Sequence, residues 1–203
     1  ITIPNDTIYE LELFKEEPTF RAVNASQASG SRFTIGYEGN PKDVKITLKK
    51  NSETIPFVVT QLPKKDTLQV WFKAVKGDSL SIDVSKNKFQ KTFSLKVKEQ
   101  KKDTLGFSSE QVGIISFRDH FAIKSNVPLT KWDVTKMKLI NKDSAEVKFT
   151  NEYDEQKQEL KFIFNKEPLE KYNLKVLPDA LTDYYDRKND SLSFDFSTNN
   201  LSD

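Results

Sequence analysis

The sequence predicts an all-β protein made of two tandem antiparallel β-sandwiches. Three observations carry this prediction. Apolar and polar residues alternate strictly through most of the chain, strands recur about every 8–12 residues, and no stretch keeps a helical apolar period for the ~10–12 residues that a helix needs. Half-buried antiparallel strands produce this alternation, and the regular strand spacing is typical of sandwiches and barrels.

The alternating apolar positions run along the whole chain. Those of the first half are Tyr9, Leu11 and Leu13; Phe33, Ile35 and Tyr37; Val44, Ile46 and Leu48; Leu68, Val70 and Phe72; Leu80, Ile82 and Val84; and Phe93, Leu95 and Val97. Those of the second half are Leu105 and Phe107; Phe121 and Ile123; Met137 and Leu139; Val147 and Phe149; Leu160, Phe162 and Phe164; Tyr172, Leu174 and Val176; and Leu192, Phe194 and Phe196. The segment Thr130–Leu139 comes nearest to a helix, but its Lys-rich alternation favours a strand.

A polar stretch, Lys98–Asp103, separates about seven predicted strands on each side. It therefore predicts two domains, residues 1–99 and residues 100–203.

The composition excludes several classes of protein. Aromatic residues make up 11% of the chain, which indicates a folded protein. The 32 basic and 30 acidic residues nearly cancel, and they are interspersed, so nucleic acid is not the expected partner. Without Cys there is no disulfide framework, thiol chemistry or Cys-based zinc site. The chain opens on Ile1 and lacks a signal peptide or lipid-anchor Cys, so we expect a trimmed part of a longer protein.

An Asp-Ser/Thr-aliphatic tripeptide occurs six times, beginning at Asp6, Asp66, Asp78, Asp103, Asp143 and Asp190. An aspartic protease needs Gly as the third residue, and none of the six copies has it. Asp and Ser/Thr form turns, and in five copies an alternating strand follows. The aliphatic residue then points inward and the hydroxyl outward. We predict that the tripeptide marks the starts of strands.

The same tripeptide resembles the acceptor motif of the general O-glycosylation system of Bacteroidota, which acts on periplasmic and outer-membrane proteins. The resemblance implies the glycan acceptors Thr7, Thr67, Ser79, Thr104, Ser144 and Ser191.

The second half carries a family resemblance. The segments "FAIKSNVPLTKWDVTKMKLI" and "KYNLKVLPDALTD", with the closing strand "FDFST", are similar to bacterial Ig-like domains of the S-layer-associated type. These domains are common in outer-membrane lipoproteins of Bacteroidota. The resemblance covers residues 120–203 and is weaker before them. The sequence departs from the family at Asp183-Tyr-Tyr-Asp186-Arg187. The family usually has D-x-x-G-N at this turn, and here Asp186 stands in place of the Gly. The resemblance implies an Ig-like fold and an extracytoplasmic scaffolding or interaction role, with a lipid anchor on a part outside this sequence.

Few residues suggest chemistry. His120 is the single histidine, which leaves no catalytic residue or usual zinc site to assign, and no cofactor is expected. Asp183, Asp186, Asn189 and Asp190 form a weak Ca²⁺ candidate; they lack EF-hand spacing and enclose Arg187, so turn capping is the favoured interpretation.

Four aromatic residues are candidates for interaction: Trp71, Trp132, Tyr184 and Tyr185. Alternation places Trp71 on the outward face of its strand, where it would form a contact surface for a protein or a sugar. Packing between the two domains is the alternative, and it is the favoured interpretation.

The sequence thus predicts a non-enzymatic structural or protein-interaction module of an outer-membrane, periplasmic or cell-surface protein. Protein partners in a larger outer-membrane assembly are expected, with no nucleic acid and with membrane contact only through the anchor. A carbohydrate-binding module using exposed Trp and Tyr is the alternative, and it fails if both Trp are buried between the domains. An accessory domain of a larger secreted enzyme is a further alternative.

Overall fold

The computed structural model describes residues 18–73, 76–111 and 113–200. The predicted strand at Tyr9–Leu13, the Asp6 tripeptide and the acceptor Thr7 lie outside these residues. The described residues contain eighteen strands and one 3₁₀ turn, so the fold is all-β, as predicted.

The strands up to Lys96 pair only with one another. They are β1 (Arg21–Ser29), β2 (Arg32–Glu38), β3 (Lys45–Lys50), β4 (Glu53–Thr54), β5 (Phe57–Gln61), β6 (Thr67–Phe72), β7 (Ser79–Lys86) and β8 (Phe89–Lys96). One sheet has the order β1-β2-β6-β5 and the other β4-β3-β7-β8, with antiparallel ladders throughout both. In immunoglobulin nomenclature these are an A-B-E-D sheet and a C′-C-F-G sheet.

The strands from Phe107 onward form a second set. They are β9 (Phe107–Ser109), β10 (Gly113–Ile115), β11 (Phe121–Ser125), β12 (Leu129–Trp132), β13 (Met137–Asn141), β14 (Thr150–Asp154), β15 (Glu159–Ile163), β16 (Lys171–Val176), β17 (Leu181–Asp183) and β18 (Leu192–Thr198). The orders β14-β15-β11-β9 and β10-β18-β16-β13 correspond to D-E-B-A and A′-G-F-C. The A′ strand β10 pairs with β18 in parallel, and the other ladders among the described strands are antiparallel.

Both sets are immunoglobulin-like sandwiches, and the predicted fold class is confirmed. Each has its own apolar core. The first is built around Phe33, Ile35, Val70 and Ile82, and the second around Phe121, Ile123, Leu160, Phe162 and Leu174. The inward residues of the predicted alternation supply these cores because side chains on one face of a strand recur every two residues. The boundary between residues 99 and 100 stays a prediction.

The segment Thr130–Leu139 is only partly the strand that its alternation predicted. It contains the end of β12, a 3₁₀ turn at Val134–Lys136 and the start of β13. Asp133 causes the break, because its carboxylate accepts hydrogen bonds from the backbone N–H of Thr135 at 3.0 Å and from its hydroxyl. A side chain that satisfies local backbone groups in this way competes with the sheet ladder.

Candidate functional site

The junction between the two sandwiches contains the interaction candidate Trp71. As predicted from alternation, its side chain points away from the core of its own sandwich, but it has no exposed surface. It packs in a separate buried cluster with Val127 and Tyr184 of the second sandwich, against which Val58 and Tyr185 also lie. The interpretation of Trp71 as an exposed contact residue is therefore wrong. The packing alternative describes its position, because the second sandwich covers the outer face of β6.

The indole N–H of Trp71 and the amide of Gln69 are paired, as buried polar groups usually are, whereas Arg32 Nε is buried without a partner. The indole Nε1 donates to Thr60 Oγ1 at 2.8 Å, and Gln69 Nε2 donates to the same oxygen at 3.1 Å. The Arg32 guanidinium carbon lies 4.9 Å from the centre of the Trp71 rings, and its Nη2 is 3.0 Å from Asp103 Oδ1. The junction thus combines an apolar contact with a cation over an aromatic face.

Tyr184 and Tyr185, the interaction candidates in the turn, are engaged with the first sandwich. The Tyr184 hydroxyl donates to Pro56 O at 2.9 Å, and the Tyr185 hydroxyl donates to Ser31 O at 2.7 Å. Burial raises the pKa of both phenols above the ordinary value. Both hydroxyls therefore stay protonated and donate hydrogen bonds that join the second sandwich to backbone carbonyls of the first.

The loop that carries these tyrosines is held by Asp183, which is fully buried. Its Oδ1 accepts from the backbone N–H groups of Tyr185 and Arg187, both at 2.8 Å. Its Oδ2 accepts from Arg187 Nε at 2.7 Å, and Arg187 Nη1 donates onward to Asp103 O at 2.6 Å. This network shapes the turn, which lacks the Gly of the D-x-x-G-N pattern. Through Asp103 it also connects the turn to the linker between the domains, the polar stretch Lys98–Asp103.

The same contacts argue against the Ca²⁺ candidate. The oxygens of Asp183 are occupied, Asn189 Oδ1 accepts from Leu181 N at 2.7 Å, and Asp186 pairs with Lys73 across the junction. Within the described ranges, no group of three or more His, Asp or Glu side chains could hold a metal ion. Asp190 is exposed. Asp183 and Asn189 cap the turn through bonds from backbone N–H groups.

The linker docks on the turn between β1 and β2. Gly30 N–H donates to Lys101 O at 3.1 Å, and a Cβ at Gly30 would lie 2.4 Å from Gln100 O. Asp103 accepts from the Ser29 hydroxyl and from Arg32. The Asp of the fourth tripeptide therefore fixes the linker between the domains, a role that the strand-start interpretation missed.

The tripeptides place their hydroxyls mostly outward. Ser79, Thr104, Ser144 and Ser191 are exposed, and Thr67 is half-buried. The following aliphatic residues point inward where a strand begins: Leu68 and Leu80 are buried, and Leu192 packs against the second core. Leu105 differs, because it precedes β9 by two residues and packs against the junction cluster around Trp71. Ser144 differs, because it lies in a turn with a φ of 60°.

Trp132 lies apart from Trp71. It is half-buried, its ring centre is 5.2 Å from that of Tyr153, and its Nε1 donates to Asn151 Oδ1 at 2.9 Å. The two rings line a cleft of about 480 Å³ between the sandwiches. His120 is exposed in the loop before β11.

Comparison with known proteins gives likeness of fold only. No protein-family model matches the chain, and no curated protein matches it by sequence. Domains 5–6 of the S-layer protein SbsC are 12% identical, with a TM-score of 0.37 and with 91% of this chain and 99% of that one covered. The Ig1–2 module of the Drosophila receptor protein tyrosine phosphatase DLAR is 10% identical, with a TM-score of 0.30 and coverage of 89% and 97%.

A three-domain titin fragment, I67–I69, is 17% identical with a TM-score of 0.26, and the match covers 83% of this chain and 58% of that one. At these scores we take nothing about function from any of the three. The described residues contain no helix that is long and apolar enough to cross a membrane.

Proposed function

We propose that the chain is a non-enzymatic structural and protein-interaction module in which two Ig-like domains, residues 1–99 and 100–203, are held in one arrangement. The buried junction around Trp71 is the observation that supports this most. In an Ig domain the B–C and F–G loops lie at the end that antibodies use for ligands. In the second domain these loops carry Val127, Tyr184 and Tyr185, which pack on the first domain or donate hydrogen bonds to it.

The residues that the sequence offers for chemistry do not come together in the described chain. His120 is exposed, no cluster of acidic or histidine side chains could hold a metal there, and Asp183 is engaged in turn structure. A catalytic site requires a base, a nucleophile or a metal within reach of one reacting atom.

The module belongs, in this proposal, to an outer-membrane or cell-surface assembly, with protein partners and a lipid anchor on another part of the protein. The family resemblance over residues 120–203 supports this placement. Glycosylation at the Asp-Ser/Thr tripeptides would agree with it, and Ser79, Thr104, Ser144 and Ser191 have the exposure that a modifying enzyme needs.

The test is lysine cross-linking of the protein in its native envelope, followed by gentle isolation and mass spectrometry of cross-linked and modified peptides. We expect one stoichiometric envelope partner, and added mass on tripeptide-containing peptides. We expect Trp71→Ala to release the two domains from each other, so this variant should lose cross-links that involve both domains. A wild-type protein that is recovered without any cross-linked partner would contradict the interaction role. Unmodified peptides would contradict the glycosylation alone.

A carbohydrate-binding module is the second candidate, and the cleft beside Trp132 and Tyr153 favours it because aromatic faces stack on sugars. The burial of Trp71 removes one of its two platforms. Calorimetry with cello-, malto- and chito-oligosaccharides tests it: binding that Trp132→Ala abolishes would support this candidate, and no heat with any of them would exclude it for these sugars.

A further inference from the structure

The cleft beside Trp132 has a sheet edge as one wall. It is lined on the first domain by Phe57, Val58 and Val59 of β5, and on the second by Pro128, Leu129, Thr130, Trp132, Tyr153 and Glu155. In the sheet order β1-β2-β6-β5, β5 is the outermost strand. An outermost strand presents a row of backbone N–H and C=O groups that can pair with another chain.

The direction of the β5 backbone groups follows from two hydrogen bonds. Leu62 N–H donates to Thr67 O at 2.9 Å, toward β6, whereas Gln61 N–H donates across the domain junction to Gln156 O at 3.0 Å. Successive residues of an antiparallel strand turn their backbone groups to opposite sides. Phe57 and Val59 therefore turn their N–H and C=O groups to the same side as Gln61, away from β6 and toward the cleft.

The bond from Gln61 also shows which kind of partner the open edge of β5 can bind. At Gln61 the second domain already supplies a carbonyl oxygen to the edge of β5. At Phe57 and Val59 no hydrogen bond beyond the sheet is formed within the described residues. A ligand that continues the pattern must offer a donor and an acceptor at every second residue, which is what an extended polypeptide offers.

The opposite wall favours side chains over sugar hydroxyls. Trp132 Nε1 is engaged by Asn151, and the Tyr153 oxygen accepts from Leu129 N–H at 2.9 Å. The aromatic pair therefore offers ring faces and apolar edges, with its polar atoms already paired. Such a surface suits an aliphatic or aromatic side chain of a bound strand.

The charge of the cleft indicates which side chains a bound strand should carry. Glu155 is the one charged residue that lines the cleft, and it is exposed and forms no ion pair with a described cation. A basic side chain on the ligand would complement it, whereas an acidic side chain would be repelled.

We propose that this cleft binds an extended segment of a partner protein as an added strand on β5, with apolar side chains on Trp132 and Tyr153 and a basic side chain at Glu155. The inference deepens the proposed interaction function and rests on it. It places the contact with the partner in a groove that exists only while the two domains are held together.

The probe is the peptide acetyl-Lys-Val-Lys-Val-Lys-Val-amide, titrated into the isotope-labelled full chain and followed by NMR and amide exchange. We expect shifts of the Trp132 indole and slower exchange, by about tenfold or more, at the amides of Phe57 and Val59. Glu155→Gln should weaken binding by up to about fivefold, the contribution of an exposed ion pair.

Two controls distinguish strand addition from non-specific binding of the peptide. The same peptide with every residue N-methylated has the same charge but offers no backbone N–H on either edge, so it cannot pair as a strand and should not bind. Val59→Pro removes one N–H from the open edge while leaving the ladder to β6 intact, since Pro is tolerated where the N–H of an edge strand faces outward. Because Val59 also packs against the first core, the variant should melt at a somewhat lower temperature, but it should remain folded and lose peptide binding.

Equal binding of the N-methylated peptide, or unchanged exchange at Phe57 and Val59 at saturation, would overturn the proposal. So would oligosaccharides that shift the Trp132 indole when the peptide does not, because the cleft would then be a sugar site. In the native envelope, a partner cross-link that survives Val59→Pro would exclude the cleft as the partner's site and leave the interaction function standing. A wild-type protein with no cross-linked partner would contradict that function itself.

Discussion

The two domains share one fold and use the same end of it differently. In the first domain the B–C loop, residues 39–44, and the F–G turn at Asn87 and Lys88 are largely exposed. In the second domain the corresponding loops contact the first domain through Val127 and Tyr184, which are buried, and through Tyr185. The difference shows that an Ig sandwich does not fix the use of its loops. The neighbouring domain decides it, because it either covers the loops or leaves them to solvent.

The largest effect is expected at the residue that covers these loops. Trp71→Ala removes a fully buried side chain and the ring under Arg32, so we expect a loss of about 3–5 kcal/mol in stability. It should also uncouple the domains, because the cavity opens at the junction rather than inside a sandwich core. Thermal denaturation would measure the first effect, and an increased radius of gyration in small-angle scattering would measure the second.

Trp71→Phe is the matched control. It keeps an aromatic ring but loses the hydrogen bond to Thr60, so about 1–2 kcal/mol should be lost and the scattering profile should stay that of the wild type. If Trp71→Ala left both stability and scattering unchanged, the junction would not hold the domains together.

The second largest effect is expected at the base of the buried F–G loop. Asp183→Asn keeps the shape of the side chain but removes the charge that faces Arg187, so we expect a loss of about 2–3 kcal/mol. The same change at Asp43, in the exposed B–C loop of the first domain, should stay within about 0.5 kcal/mol. Equal effects at the two positions would show that the second domain's loop end is no more constrained than the first's.

The sequence predicted the sandwiches well because their strands bury one face. Phe33, Ile35 and Val70 alternate with polar neighbours, and alternation alone assigns them to the core. The outward alternation of Trp71 favours packing between the domains, but it does not locate the junction. Both faces of β6 are buried there, because Gln69 and Trp71 alternate outward and Trp71 packs on the second domain. A Trp on the outer face of a strand indicates that some surface contacts it. The sequence alone does not tell which surface that is.

The Asp-Ser/Thr tripeptides show the same limit. Their strand-start role follows from turn chemistry, and Leu68 and Leu80 are buried as that role requires. The link from Asp103 to Ser29 and Arg32 depends on residues about seventy positions earlier in the chain. Local patterns do not report contacts at such separations.

The third prediction concerns the docking of the linker, and it compares two glycines outside the linker that differ in their surroundings. A Cβ at Gly30 would meet Gln100 O at 2.4 Å, whereas a Cβ at Gly106 would meet only the side chain of Asn126, at 3.4 Å. Gly30→Ala should therefore push the linker off the β1–β2 turn and cost about 1–2 kcal/mol, with a broader scattering profile. Gly106→Ala should change neither. A Gly30→Ala protein with the wild-type scattering profile would show that docking of the linker does not set the arrangement of the domains.

The smallest effect is expected at the rim of the junction, where Lys73 Nζ lies 2.9 Å from Asp186 Oδ2 with both side chains largely exposed. The hydrogen bond from Lys73 lowers the pKa of Asp186 below its ordinary value of 3.8. Because the unfolded chain binds this proton more readily, the stabilisation is present above the unfolded pKa and is lost as the pH falls through the folded pKa. Melting temperatures of wild type and Asp186→Asn should therefore differ slightly at neutral pH and converge in acid.

The same difference should vanish in ~1 M salt, because exposed charges are screened over a few ångströms there. The effect of Trp71→Ala should persist in that salt, since burial of an apolar ring does not depend on screening. A difference at Asp186 that survived both acid and salt would mean that this carboxylate holds the domains together through packing, and that the rim resembles the buried centre of the junction more than its exposure indicates.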